Sequence, residues 1–296
     1  MTRGACAEGL GLVERPCQTS LMMRLVRSVV AAVAAAVCVV CGLVPAQAVT
    51  LAGEPGVDLE LVLAVDISWS MDPEEQQLQR EGYVAAFRDP EVQKAIMSGA
   101  HRRIAVTYME WAGPHAQRVV VPWTIIGSKR EADAFADQLA AAPISRDRMT
   151  SITSALKFAG DLLEQRPNTG TRRVIDVSGD GPNNAGGLVT TMRDRLVESD
   201  IVINGLPIMI RPTPSSMFDI AHLLEYYEEC VIGGPGSFAI PIYERSEFLT
   251  ATRRKILLEI AGLEPKVTRT QLKPPKGNSQ IDCTIGERMW QRYMDR

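Results

Sequence analysis

The sequence predicts an α/β fold: a doubly wound, mainly parallel central sheet with helices on both faces and one antiparallel edge strand. Segments typical of strands alternate with segments typical of helices, which is the pattern of a parallel sheet covered by helices. The first strand segment, Leu59–Val65, is almost continuously apolar, as strands buried on both faces are. Pro122 interrupts a later strand segment, and a proline inside a strand indicates an edge position.

Helix boundaries follow from local capping signals. Asp72 and Pro73 are typical of a first helical turn, and that helix is expected to reach Phe87 and to resume after Pro90. Ser128 with Glu131 forms a capping box before another helix. The predicted helices are Asp72–Phe87, Ser128–Ala141, Thr150–Glu164, Gly187–Glu198, Ser216–Glu229 and Glu247–Ala261, the last ended by Gly262.

The strands are predicted from apolar runs between these helices. The five main ones are Leu59–Val65, Arg103–Trp111, Arg118–Ile126, Arg173–Val177 and Ile201–Pro207. Two short candidates follow at Cys230–Ile232 and Phe238–Ile242. The pattern fades after residue 262, so we expect a C-terminal tail over residues 263–296, with a linker at Lys273–Gly277.

Composition excludes several classes of function. The chain has 296 residues, of which 46% are hydrophobic and 23% charged, values typical of a globular protein with ample core material. The formal net charge of −3 lacks the basic excess of nucleic-acid-binding proteins. Only three histidines are present, His101, His115 and His222, which argues against a histidine-rich zinc site.

Residues 1–48 have the pattern of an export signal. Arg24 and Arg27 precede the apolar run Val29–Val44, and Ala46–Ala48 has the A-x-A form of a cleavage site. The run is short for a membrane span, which needs about 20 apolar residues. We therefore expect an exported protein, periplasmic or secreted, with no integral membrane segment after cleavage. An uncleaved anchor is the alternative.

Two cysteines remain outside this leader, Cys230 and Cys283. An exported protein with two cysteines is expected to form one disulfide between them. The alternative is one buried thiol and one free thiol.

Three polar segments fall at or just after the expected carboxyl ends of strands. They contain Asp66, Ser68 and Ser70 in D-x-S-x-S spacing, Thr150 before a helix, and Asp180 after a buried strand. Ligands of such sheets bind at this edge. Alternate residues of an extended turn point the same way, so the first three side chains can converge on one ion. Hard oxygen donors suit Mg²⁺, with Mn²⁺ or Ca²⁺ as alternatives.

In this order and spacing, the three segments resemble the metal-ion-dependent adhesion site (MIDAS) of von Willebrand factor A domains. The resemblance covers residues 57–262. It implies that Ser68, Ser70 and Thr150 bind the metal directly, whereas Asp66 and Asp180 act partly through water. It also implies a protein partner that offers an Asp or Glu side chain to the metal.

Further segments are similar to a narrower, poorly characterised group of exported bacterial proteins. They include Gly82–Arg88, Trp111–Gly113, Val177–Asn184, Asn204–Ile208 and Cys230–Gly236. Two positions depart from the broader family. Gly179 stands where many members have a threonine, and Arg148–Met149 stands where the loop usually carries glycines.

Four neighbouring residues could serve the site or have ordinary structural roles. We expect Trp69 to pack locally, Asn183 and Asn184 to form a turn, and Glu110 to be a solvated carboxylate.

The leading functional hypothesis is an exported protein-binding module, not an enzyme. One alternative is a metal-dependent phosphoester hydrolase, although no histidine or activated serine dyad lies near the motif. The other is a structural envelope protein whose metal braces the loops.

Overall fold

The computed structural model describes residues 56–166, 170–210, 220–262 and 281–295. Five strands form one sheet in the order β3-β2-β1-β4-β5. β1, β2, β4 and β5 are parallel, and β3 pairs with β2 in the antiparallel sense. The bounds are β1 Glu60–Asp66, β2 Ile104–Trp111, β3 Gln117–Ile126, β4 Arg173–Gly179 and β5 Ile201–Pro207.

Eight α-helices lie in the described part of the chain. They are α1 Pro73–Arg88, α2 Pro90–Ile96, α3 Lys129–Ala141, α4 Ile152–Glu164, α5 Val189–Glu198, α6 Leu223–Tyr226, α7 Phe248–Ala261 and α8 Ile285–Met294. The side chain of Asp72 accepts the Glu75 N–H at the start of α1, and the chain ends α7 at Gly262 with a left-handed φ of 63°. Within these ranges, no helix is both long and apolar enough to cross a membrane.

Helices cover both faces of the sheet, as the sequence predicts. Because successive side chains of a strand point to opposite faces, β1 contributes side chains to two hydrophobic clusters, one on each face of the sheet. Leu61 and Leu63 lie in a cluster with Phe87 of α1 and Phe135 of α3. The intervening residues of β1 lie in a second cluster with α4, α5 and α6. The doubly wound fold class is confirmed.

The strand order places a switch point between β1 and β4. The chain leaves β1 towards β2 on one side and later returns to β4 on the other. In open α/β sheets, the crevice outside the carboxyl ends of the strands at such a point is where ligands bind. Asp66 is the last residue of β1, and Gly179 is the last residue of β4.

The sequence-based expectations after β5 were partly wrong. Cys230 and Val231, predicted as a short strand, belong to a π-helical turn, Tyr227–Val231, that directly continues α6. A short apolar run does not by itself distinguish a strand from a buried helical turn. Residues 238–242 run beside β5 through single bridges only. Of the predicted helix Ser216–Glu229, residues 216–219 lie outside the described residues.

The C-terminal residues, expected to be a tail, contain a helix that was not predicted. α8 lies within the expected tail, and Cys283 just before it is joined to Cys230 by a disulfide with a Cα–Cα distance of 5.6 Å. The side chain of Asn183 donates a hydrogen bond of 2.6 Å to Glu287 of α8. α8 is thus attached to the end of the sheet at which β1 and β4 finish.

Candidate metal site

Asp66 occupies the carboxyl end of β1 and is completely buried. Its Oδ1 accepts the backbone N–H of Ser68 at 2.6 Å, which sets the chain turning immediately after the strand. Its Oδ2 is also buried and has no hydrogen-bond partner among the described residues. A buried carboxylate oxygen without a donor is costly, and a bound cation would remove that cost.

A line of hydrogen-bonded hydroxyl groups, Ser68 and Ser70, connects the D-x-S-x-S segment to Asp180. Ser70 Oγ donates to Asp180 Oδ1 at 2.6 Å, and Ser68 Oγ lies 2.8 Å from Ser70 Oγ. Each serine has one hydroxyl proton, so Ser68 must be the donor to Ser70. The fold therefore brings the D-x-S-x-S segment and Asp180 into direct contact.

Thr150 lies beside this line, at the start of the segment leading into α4. Met149 just before it has a φ of 67°, the left-handed conformation that glycine adopts most easily. This explains why glycine would suit the loop at which this chain has Arg148–Met149. Thr150 is 5% exposed and lines the same cavity as Ser68 and Ser70.

The electrostatics of the two carboxylates favour a cation. Burial raises the pKa of Asp66 well above its ordinary value of 3.8, and the negative charge of Asp180 raises it further. The described residues contain no group of three or more His, Cys, Asp or Glu that could hold a metal. Hydroxyl groups would therefore have to complete the ligand set, which suits hard cations such as Mg²⁺. The donors present fit such an ion.

Gly179 and Tyr227 lie close to Asp66 Oδ2. A Cβ atom at Gly179 would lie 2.8 Å from Asp66 Oδ2 and 3.1 Å from the Tyr227 hydroxyl oxygen. The absence of a side chain at 179 thus leaves room for both groups. Tyr227 is far from the motif in sequence, and no sequence signal pointed to it.

The cavity outside the hydroxyl line has a volume of about 690 Å³. Three of its eleven lining residues are aromatic, and two of these three belong to α8. Its lining includes Trp69, Arg148, Trp290 and Tyr293. The guanidinium of Arg148 lies 4.4 Å from the ring centre of Trp69, a cation–π contact.

Two expectations about neighbouring residues were wrong, and a third was met only in part. Trp69 packs locally against Arg148, but it is 54% exposed and lines the cavity. Asn183 and Asn184 are buried, and their side chains accept backbone N–H groups of the Thr150 segment. Glu110 is 1% exposed, because Arg80 and Arg118 both pair with it.

The fold and the arrangement of this site define the class of protein: a von Willebrand factor A-like α/β domain. The chain belongs to the family described as "Protein of unknown function (DUF1194)", whose model matches residues 56–264. The resemblance to a von Willebrand factor A-like domain and to a poorly characterised group of proteins is confirmed, whereas the metal-binding roles of the site residues stay a prediction. No curated protein matches the chain.

Several solved structures share the fold. Proximal thread matrix protein 1 from the mussel byssus superimposes with a TM-score of 0.50 at 15% identity, covering 71% of this chain and 49% of its own. The pilus adhesin SpaC from Lactobacillus rhamnosus GG gives 0.53 at 12% identity, covering 70% and 31%. At these identities the likeness shows the fold alone. The chain spans about half the length of the mussel chain and less than a third of the adhesin chain.

Two further structures superimpose less well. A structure of the mussel protein with a zinc-occupied MIDAS motif gives a TM-score of 0.48 at 14% identity, covering 71% of this chain and 50% of its own. A von Willebrand factor type A protein from Catenulispora acidiphila gives 0.46 at 14% identity, covering 69% and 43%.

Proposed function

We propose that this protein is an exported protein-binding module that engages its partner through a divalent metal. The metal would be held by Asp66, Ser68, Ser70, Thr150 and Asp180. The observation that carries the proposal is the buried Asp66 Oδ2, which has no donor and faces the charge of Asp180 beside two serine hydroxyls. Mg²⁺ fits this hard-oxygen set best, with Mn²⁺ or Ca²⁺ as substitutes.

The serine and threonine oxygens are neutral ligands, and this determines what the bound metal can do. An ion held mainly by neutral oxygens keeps most of its positive charge, so it can accept a carboxylate from outside. The ligand we propose is an Asp or Glu side chain of a partner protein. Ser68, Ser70 and Thr150 would contact the ion directly, while Asp66 and Asp180 would act partly through water.

The shape and charge of the cavity support a protruding acidic segment as the ligand. It is lined by the positive guanidinium of Arg148, which lies against Trp69. Trp290 and Tyr293 of α8 also line it. An acidic side chain flanked by apolar residues would satisfy both the metal and these walls.

The leader supports an extracytoplasmic site of action. Residues 1–48 would direct export and be removed, so that residues 57–262 form the binding domain and residues 263–296 follow it as a tail that carries α8. The disulfide between Cys230 and Cys283 agrees with an oxidising compartment such as the periplasm or the cell exterior.

The first experiment is a set of thermal melts with Mg²⁺, Mn²⁺, Ca²⁺ or EDTA. A ligand that binds only the folded state raises the melting temperature as its concentration exceeds its Kd. We expect a metal-dependent rise in the wild type that is lost in Asp66→Ala. The matched control is Asp161→Ala, which removes an exposed carboxylate paired with Lys157. No rise in the wild type, or an equal rise in Asp66→Ala, would contradict the metal site.

The second experiment tests partner binding with synthetic peptides. A peptide with one Asp between aromatic residues is compared with the same peptide carrying Asn. We expect binding of the Asp peptide to need the metal and to be lost in Asp66→Ala. If the metal stabilises the protein but no Asp or Glu peptide binds, a bracing metal in a structural envelope protein explains the site better.

A further inference from the structure

The side chain of Tyr227 lies over β5 and β4 and ends near Asp66 of β1. Two glycines make room for its side chain. A Cβ at Gly205 of β5 would lie 2.7 Å from Tyr227 Cδ1, and a Cβ at Gly179 of β4 would lie 3.1 Å from its hydroxyl oxygen. Any larger residue at either position would displace the ring. The tyrosine therefore has a path over two adjacent strands that ends beside Asp66.

The backbone at Tyr227 is also unusual. Tyr227 is the first residue of the π-helical turn that follows α6. Single π-helical turns are rare in proteins, and those that occur are frequently found at functional sites. The ring of Tyr226 lies 6.5 Å away in an edge-on arrangement, which packs the two tyrosines together.

The hydroxyl of Tyr227 is fully buried and has no hydrogen-bond partner among the described residues. The same holds for Asp66 Oδ2, which borders the same empty position at Gly179. A phenol hydroxyl is a donor at neutral pH, and a carboxylate oxygen is an acceptor. Two complementary buried groups without partners, placed next to each other, point to a shared interaction.

We propose that Tyr227 is a positioning residue of the metal site: when metal binds, its hydroxyl donates to Asp66 Oδ2, directly or through one water, and so holds that carboxylate in place. This rests on the proposed metal site and adds a residue from outside the D-x-S-x-S, Thr and Asp segments. Groups that orient a ligand in this way commonly change metal affinity about 10- to 100-fold when removed.

The adjacent tyrosine provides a matched control. The Tyr226 hydroxyl is also buried, but it already has a partner, because it accepts the backbone N–H of Asn183 at 3.2 Å. Replacing each tyrosine by phenylalanine removes one hydroxyl and keeps the ring. A purely structural role for Tyr227 would make Tyr227→Phe less stable or neutral without changing metal affinity.

The test is calorimetric titration of Mg²⁺ and Mn²⁺ into the full chain and its Tyr227→Phe and Tyr226→Phe variants, with denaturation of each metal-free protein. We expect Tyr227→Phe to weaken metal binding about tenfold or more. Its metal-free stability should not fall, because the hydroxyl that it loses has no partner. Tyr226→Phe should bind metal like the wild type and should be less stable.

The results separate the two proposals. If the wild type binds no metal, the metal site itself is wrong and this inference falls with it. If the wild type binds metal and Tyr227→Phe binds it equally well, only the role of Tyr227 is wrong. Equal weakening in both variants would also overturn that role, because it would show a general effect of packing between α6 and the sheet.

Discussion

Thr150 and Asn184 are joined by a pair of reciprocal hydrogen bonds. The Thr150 N–H donates to Asn184 Oδ1 at 2.9 Å, and the Asn184 N–H donates to the Thr150 carbonyl oxygen at 2.8 Å. The two residues are 34 positions apart, one before α4 and the other after β4. This pairing fixes the left-handed turn at Met149 and places the Thr150 hydroxyl on the cavity that holds Ser68 and Ser70.

Removing the Asn184 side chain should therefore affect both stability and metal binding. Asn184→Ala leaves the buried Thr150 N–H without an acceptor, which costs about 1–3 kcal/mol of unfolding free energy. We expect Mg²⁺ affinity to fall about tenfold as Thr150 loses its position. Urea denaturation and metal titration measure the two effects. Thr124→Ala, which deletes an exposed hydrogen bond to Pro122, is the control and should change neither.

A side chain at Gly179 should impair metal binding, because it would crowd the Asp66 carboxylate. In Gly179→Ala the new methyl would lie 2.8 Å from Asp66 Oδ2, so the carboxylate or the strand has to move. Overpacking of this kind costs about 1–3 kcal/mol. We expect the metal-dependent rise in melting temperature to disappear. Gly181→Ala, where a Cβ meets nothing within 4 Å, should keep that rise. A normal metal response in Gly179→Ala would contradict the placement of Asp66.

The disulfide should stabilise the attachment of α8. Its cysteines are separated by 53 residues, and a cross-link that closes such a loop contributes about 2–4 kcal/mol. Replacing both cysteines by alanine should lower the urea midpoint and make α8 accessible to protease. Metal binding should persist, because neither cysteine contacts the proposed ligands. Binding of the acidic peptide should weaken, because Trp290 and Tyr293 lose their fixed position.

Equal peptide affinity before and after removal of the disulfide would show that α8 is not part of the binding surface. A reducing agent added to the wild type should reproduce the double variant. The same agent should have no effect on the protein that already lacks both cysteines, which controls for unrelated effects of the agent.

A buried charge cluster between β4 and α7 should make stability depend on pH. Lys255 pairs with Asp176 and with Glu259, and all three side chains are fully buried. Burial, followed by the negative charge of Asp176, raises the pKa of Glu259 from 4.5 to about 7. The polar groups that act on Glu259 are Lys255, Asp176, Asn204, Arg172 and Tyr83.

The direction in which stability changes with pH follows from the raised pKa of Glu259. The folded protein holds the Glu259 proton more tightly than the unfolded chain, so this group favours folding below pH 4.5 and loses that contribution as the pH rises to about 7. Glu259→Gln removes the titration. We expect the unfolding free energy of the wild type, relative to this variant, to fall by up to about 3 kcal/mol across that range. Urea midpoints of both proteins, measured below pH 4.5 and above pH 7, test this prediction. If the difference between the wild type and Glu259→Gln is the same at both pH values, the prediction is wrong.

The sequence by itself determined the fold class and the order of the elements from β1 to β5. The apolar run of β1, the proline in β3 and the caps at Asp72 and Gly262 are local signals, and the structure bears them out. The D-x-S-x-S segment and Asp180 were also visible, because they follow buried strands whose carboxyl ends meet at one edge of a parallel sheet.

Only the tertiary structure decided which groups surround these residues. Tyr227 reaches Asp66 because glycines on two adjacent strands leave a path for its ring, and no spacing in the sequence encodes that path. Glu110 is buried because arginines from α1 and β3 pair with it. Such contacts join distant segments, so they follow from strand order and packing and not from local propensity.

For the C-terminal helix, too, the sequence contains local signals, whereas the tertiary structure determines the contacts. Residues 285–294 are amphipathic, with Ile285, Met289 and Trp290 at helical spacing, but no local signal says which surface that apolar face covers. The disulfide, Ile285 and Glu287 attach the helix to the domain. The two cysteines were predicted to pair from composition alone. That this pairing builds a wall of the cavity beside Thr150 follows only from where β4 and α6 place Asn183 and Cys230.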